Sequence, residues 1–310
     1  MIANLVPPPA AVCLTCVVAS SSLRDLTLLA ERKGPIVDPW VTPAISIGSQ
    51  ALKHRNEAAR LWQGLAARVL GPKSSIVVTG AAGVGKTVLV DHLTGDGLSA
   101  DYQPPGRSIG AEKERVKHNK QRLVLTVVPG QHSLPRLTTL DQSFNEKSPP
   151  DGLIFTAAYG FAEVREQYAR EALVAQGLAS LDDLLAAQRK TEIDALEETL
   201  DLARRTIRLN RKPTWLLVAV NKVDLFADEL VGAQQHYLSP DGDFSRTLDR
   251  FLLQVGKDNF TWNAQPVCGW LEDFTWNGED RVSTLKPGQR NKMVLDFLHV
   301  LGDTSAAARG

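Results

Sequence analysis

Short apolar, β-branched runs alternate along this chain with stretches whose apolar residues recur three and four apart. The runs Ser75–Thr79, Leu123–Val128, Leu153–Ala157, Leu216–Val220 and, more weakly, Pro266-Val267 have the length and composition of strands buried on both faces. Helical patterns separate them, so the spacing predicts an α/β domain with a mostly parallel sheet and helices on both faces. Residues 112–122 carry near-alternating cations, Lys113, Arg115, Lys117, Lys120 and Arg122. That pattern suits an edge strand guarded against pairing with another sheet, the alternative being a phosphate- or RNA-binding face.

Ahead of the first strand, residues 1–48 hold Pro7-Pro8-Pro9 and short apolar pieces without a sustained period, which reads as an irregular N-terminal arm. Over 49–71, Ala58, Leu61, Trp62, Leu65 and Val69 recur at helical spacing until Gly71-Pro72, which predicts a lead-in helix, an N-terminal helical extension of the domain at 72–303. Inside that domain, 161–211 reads as helix throughout, longer than one crossover needs, and so as a helical insertion. Its stripe of Ile193, Leu196, Leu200 and Ile207 would either dock a protein partner or pack within the chain. Residues 304–310 read as a disordered tail.

Composition narrows the setting. Lys plus Arg and Asp plus Glu are both 35, so no global field draws the chain to nucleic acid, and no nucleic-acid partner is expected. Three cysteines build no disulfide framework at this length, which makes the cytoplasm the expected compartment. The apolar run Ala10–Ala19 is too short to span a bilayer, and no integral membrane segment is expected.

The candidate chemistry begins directly after the first strand, where Gly80-Ala81-Ala82-Gly83-Val84-Gly85-Lys86-Thr87 fits G-x-x-x-x-G-K-[ST] and opens a helical pattern. Glycines let the backbone wrap close to phosphates with its N–H groups turned inward, and the helix N-terminus adds partial positive charge. Lys86 would reach the β- and γ-phosphates, and the Thr87 hydroxyl would ligate Mg²⁺. Further on, Asn221-Lys222-Val223-Asp224 follows the strand Leu216–Val220, at the end of the sheet where ligands of open α/β folds bind.

A phosphate loop followed by this element resembles the Ras-like and translation-factor-related P-loop GTPases, over residues 74 to about 302. The resemblance implies a P-loop NTPase three-layer sandwich with an enlarged helical crossover. It also implies GTP and GDP as ligands, with Asp224 accepting from guanine N1 and N2, Asn221 supporting the base and loop, and the stem of Lys222 covering the ring. Val127-Val128-Pro129-Gly130-Gln131 stands where the family keeps D-x-x-G. Gly130 matches the glycine that contacts the γ-phosphate, Gln131 matches the glutamine that orients water, and Val127 replaces the acid that helps hold Mg²⁺. By position, Ser108 is the hydroxyl ligand of the mobile loop, and Cys268 opens the last base-contacting loop, Val267-Cys268-Gly269-Trp270. Nearby Trp262, Trp270, Phe274 and Trp276 read as local packing or a lid beside the base.

The implied activity is a Mg²⁺-dependent, slow GTP hydrolysis used as a molecular switch, with Gln131, Lys86 and Gly130 as catalytic residues. Val127 keeps open a non-hydrolysing GTP-binding scaffold. An ATP-using P-loop enzyme is disfavoured by Asn221-Lys222-Val223-Asp224.

Overall fold

The structure is a computed structural model that describes Trp40 and residues 73–98, 101–105, 112–118, 121–130, 134–145 and 149–308. The expected N-terminal arm, apart from Trp40, and the expected lead-in helix lie outside the described residues. In chain order the elements are β1 (Lys73–Thr79), α1 (Lys86–Thr94), β2 (Glu112–His118), β3 (Gln121–Val127), α2 (Leu134–Asn145), β4 (Gly152–Ala157), α3 (Gln167–Ala175) and α4 (Leu181–Asn210). They continue with β5 (Trp215–Val220), α5 (Leu230–Leu238), α6 (Asp243–Val255), β6 (Thr261–Pro266), β7 (Phe274–Trp276), β8 (Glu279–Arg281) and α7 (Pro287–Ala307).

Six strands form one sheet in the order β2-β3-β1-β4-β5-β6, and β7 and β8 form a separate hairpin. Every pairing in the large sheet is parallel except β2 with β3, so the cation-rich strand is an antiparallel edge. All six residues of β4 and of β5 are buried, as strands covered on both faces require.

Alternation along the strands divides the core into two layers. Val77, Leu153, Phe155, Leu216 and Val218 pack with Phe144 of α2, with α4 and with Tyr237 and Phe244 of α5 and α6. Ile76, Val78, Leu125, Ile154 and Leu217 pack on the other face with Leu89 and Leu93 of α1 and Phe297 and Leu301 of α7. The result is a three-layer sandwich whose parallel strands all end on one edge, just past Thr79, Val127, Ala157, Val220 and Pro266.

Three expectations need correction. The stretch 161–211 is not continuous helix: Phe161–Glu166 is irregular, and α3 stops before Gly177, which takes the left-handed conformation at φ 95°. Ser180 then caps α4 by accepting from the Asp183 amide at 3.2 Å. The stripe on α4 is no free docking face, because Leu196, Leu200 and Ile207 are buried against the chain's own core and Ile193 packs beside them. Finally, Thr304–Ala307 form the last turn of α7 rather than a disordered tail, with Ser305 buried and a run of alanines that favours helix.

Candidate nucleotide site

The turn after β1 has a shape that only glycine permits. Gly80, Gly83 and Gly85 lie at φ 136°, 75° and 87°. A Cβ on Gly80 would stand 2.2 Å from the Thr156 carbonyl oxygen, and one on Gly83 would stand 2.2 Å from that of Glu163. Between them Val84 is driven into the core, and Ala82 is exposed to the cleft. Lys86, in the first turn of α1, is buried and folds back over the loop, its Nζ donating to Gly80 O at 3.1 Å and Ala81 O at 2.6 Å.

Gly130, from the end of β3, sits against this cradle. A Cβ there would come within 2.4 Å of Lys86 Nζ and 2.5 Å of Ala82 Cα. The glycine that the sequence aligned with a phosphate sensor is thus at the phosphate loop. A cavity of about 340 Å³ opens above, lined by Ala81, Ala82, Lys86, Thr87, Val127 and Gly130 among others. Val127 is 3% exposed and packs into the core layer beneath, a hydrocarbon where an oxygen ligand is expected. Gln131 and Ser108 lie outside the described residues.

On the far side of the loop, β5 delivers Asn221 at 2% exposure. Its Nδ2 donates to Val84 O at 2.9 Å, and its Oδ1 accepts from the Gly269 amide at 3.0 Å. One amide therefore ties the phosphate loop to the loop after β6. Lys222 takes a left-handed conformation at φ 61° and holds its ammonium 5.8 Å from the centre of the Phe274 ring. Burial pushes the lysine's pKa down, while Glu163, Glu272 and Asp224 pull it up.

Asp224, 1% exposed, is held from two sides: Oδ1 accepts from the Cys268 thiol at 3.3 Å, and Oδ2 from the Glu272 amide at 3.3 Å. Burial, and then the Asp224 carboxylate, raise the Cys268 thiol well above its ordinary range, so it stays a neutral donor. A phosphate loop follows the first strand, and Asn221 ties it to the Cys268-Gly269 turn that also holds the buried carboxylate after the fifth. The fold is the three-layer sandwich of the P-loop NTPases.

No protein-family model matches the sequence, and no curated protein does. Among solved structures, the chain is similar to a dimerization-deficient mutant of Toc33 from Arabidopsis thaliana (12% identity, TM-score 0.40, covering 82% of this chain and 92% of that one). It is similar to the ADP ribosylation factor-like GTP-binding protein, small COPII coat GTPase SAR1, from Encephalitozoon cuniculi in complex with GDP (15%, 0.41, 82% and 90%). A third is the small GTPase Arl6 BBS3 from Trypanosoma brucei with bound GppNp (16%, 0.39, 76% and 98%).

Two walls that sequence reasoning missed flank the phosphate loop. The irregular segment after β4 lies over the phosphate loop: the Glu163 amide donates to Gly83 O at 3.1 Å. Its start is braced by Glu192 of α4, fully buried, whose Oε1 accepts from the Ala158 and Gly160 amides at 2.8 and 3.2 Å and whose Oε2 accepts from Tyr237 OH at 2.8 Å. The second wall is the β7–β8 hairpin. Trp276 Nε1 donates to Leu178 O and Asn277 Nδ2 to Ala179 O, both at 2.9 Å, while Glu279 Oε1 accepts from the Leu181 amide at 3.2 Å. Between the walls Phe161 meets Phe274 edge-on at 5.5 Å.

These walls bound a second cavity, about 280 Å³, containing Asn221, Lys222, Asp224, Trp270, Phe274 and Trp276. Three of the four aromatic residues singled out in the sequence therefore line this cavity, and Trp262 packs on the core instead. The hairpin did carry a signal, the Asn277-Gly278 pair that such a turn prefers. The segment 161–166 carried none.

Proposed function

We propose that this protein binds GTP and GDP and hydrolyses GTP slowly, with the γ-phosphate as the signal of a molecular switch. The observation that carries the reading is Asp224, a buried carboxylate lining the second cavity, whose Cys268-Gly269 turn is tied through Asn221 to the phosphate loop. A carboxylate in that place accepts from two N–H donors on one edge of guanine, whereas adenine offers no such pair. Lys222 lays its stem along the base, and Lys86 with the loop amides takes the phosphates.

Among the described residues, Thr87 in the first turn after the phosphate loop carries a hydroxyl in the phosphate cavity, where Glu163 and Glu166 also lie, and no group of three or more His, Cys, Asp or Glu could hold a metal. Thr87 and the nucleotide's own oxygens would hold the ion, which supplies charge neutralisation at the β- and γ-phosphates. In hydrolysis a water oriented by Gln131 attacks the γ-phosphorus in line. The bond to the β–γ bridging oxygen breaks, the GDP oxygen takes the electron pair, and the water's proton passes to the released phosphate. With Val127 in place of an acid, turnover by the isolated protein is expected at or below the 10⁻⁴ to 10⁻³ s⁻¹ order of unassisted Ras-like proteins.

A second reading, a GTP-binding scaffold that does not hydrolyse, is favoured by the same Val127. The experiment is to identify the nucleotide retained on purification and to follow phosphate release with and without Mg²⁺. Binding ATP as tightly as GTP ends the guanine reading, and Asp224→Asn should exchange GTP for xanthosine triphosphate. Bound GTP with no phosphate release selects the scaffold. No helix among the described residues is long and apolar enough to cross a membrane. A cytoplasmic setting and an unidentified protein partner are part of the same proposal.

A further inference from the structure

The two cavities are halves of one cleft, because both are lined by Gly83, Gly85 and Val88 from below and by Glu163, Val164 and Arg165 from above. A nucleotide with its base at Asp224 and its terminal phosphate at Lys86 must pass through this junction. The part of it that lies there is the ribose and the inner phosphates. Among the described residues lining the phosphate half, the only cations are Lys86 and Arg165. Lys86 already donates to two loop carbonyls.

Arg165 is carried on backbone that is fixed at three points: by Glu192 at Ala158 and Gly160, by the Glu163 amide on Gly83 O, and by Arg170, whose Nε donates to Val164 O at 2.5 Å. Its own bond, to Glu163 Oε2 at 2.6 Å, is made through Nε, with the side chain 42% exposed. That bond uses Nε, so the described bonds do not engage the two terminal NH₂ groups, the fork that suits phosphate oxygens best.

We propose that Arg165 is a nucleotide-binding residue supplied in cis by the segment after β4, donating to the inner phosphates of the nucleotide at the junction of the two cavities. The inference rests on the guanine-nucleotide reading above. Glu163 then has two effects. It orients the arginine, and it sets a carboxylate beside the phosphates that opposes binding.

The test is direct binding of GDP and of guanosine, which lacks phosphate, to the full chain and to Arg165→Ala, Arg165→Lys and Glu163→Gln, with thermal melting to check folding. Arg165→Ala should weaken GDP about 10- to 100-fold, the range of a lost hydrogen bond to a charged group, and leave guanosine unchanged. Arg165→Lys should recover part of the loss, and Glu163→Gln should bind GDP a few-fold more tightly. A merely structural ion pair predicts the reverse, with Arg165→Ala and Glu163→Gln weakening GDP and guanosine alike, and that result would overturn the proposal. So would unchanged GDP binding by Arg165→Ala. Failure of the unaltered chain to bind GDP at all would instead remove the reading beneath it.

Discussion

Asp224 and Val127 occupy comparable places, each at the cleft end of a strand, yet their surroundings are opposite. The aspartate has a thiol and an amide aimed at its two oxygens, whereas the valine packs in an apolar cluster with Leu89 and Leu125 at the floor of the phosphate cavity. Restoring an acid at 127 therefore carries a cost that the sequence alone does not show. In the nucleotide-free protein Val127→Asp should lower stability by about 3 kcal/mol, because a carboxyl would be buried without a partner. Mg²⁺ with GTP should return part of that and raise turnover, since the ion would give the carboxylate something to face. Chemical denaturation with and without Mg²⁺ and GTP reads both effects, and equal destabilisation in the two conditions would show that residue 127 does not reach the metal.

At the scale of elements, the long helix α4 acts through its one buried acid. Glu192 lies four residues before Leu196 on the buried face, a position where the helical period asks for an apolar side chain. Burial raises its pKa above the usual 4.5, against the pull of the Ala158 amide, the Tyr237 hydroxyl and the Gly160 amide. The stability it contributes is complete below pH 4.5 and is lost as pH climbs through the raised value. The melting temperature of the native chain should accordingly fall relative to that of Glu192→Gln as pH rises from 4.5, and then run parallel to it. A constant offset from pH 4 to 8 would refute the assignment.

The same helix shows where sequence reading stops. Runs of β-branched residues disclosed β1, β4 and β5 because those strands are buried on both faces, and the phosphate loop and Asn221–Asp224 were legible because their chemistry is local. Gly177 and Ser180 marked the break between α3 and α4, but a helical pattern on each side outweighed them. The walls of the second cavity were not legible for a different reason. Residues 161–166 have no period, and what fixes them is Glu192, about thirty positions away, together with Gly83 on another strand's loop.

Across the whole molecule, one imidazole joins three distant parts. His92 of α1 is fully buried. Its Nδ1 faces Val88 O at 2.8 Å, which assigns the proton there, and its Nε2 accepts from Arg290 of α7 at 2.7 Å. The same Arg290 nitrogen donates to Gly269 O, beside the base cavity, at 3.2 Å. Burial is the main cause that brings the His92 pKa down from 6.5 to about 4, with Arg290 adding to it and the Val88 bond opposing. Its contribution to stability is therefore full above pH 6.5 and lost as pH falls towards 4, an effect of about 3 kcal/mol by linkage. Unfolding free energies measured between pH 7 and 4 should fall more steeply for the native chain than for His92→Gln. His236, also lowered to about 4, accounts for a remaining slope in the variant. Identical slopes would mean that His92 takes up its proton alike in the folded and unfolded chain.

The clasp from Trp276, Asn277 and Glu279 to residues 178–181 spans about a hundred positions of sequence. A chain growing on the ribosome completes β1 and the phosphate loop early, but Asp224 gains its Cys268 and Glu272 donors only after β6, and the second cavity its outer wall only once the hairpin has emerged. On the proposed guanine reading, the nascent protein until then holds a cradle for any polyphosphate, and discrimination between bases would be acquired at the end of synthesis.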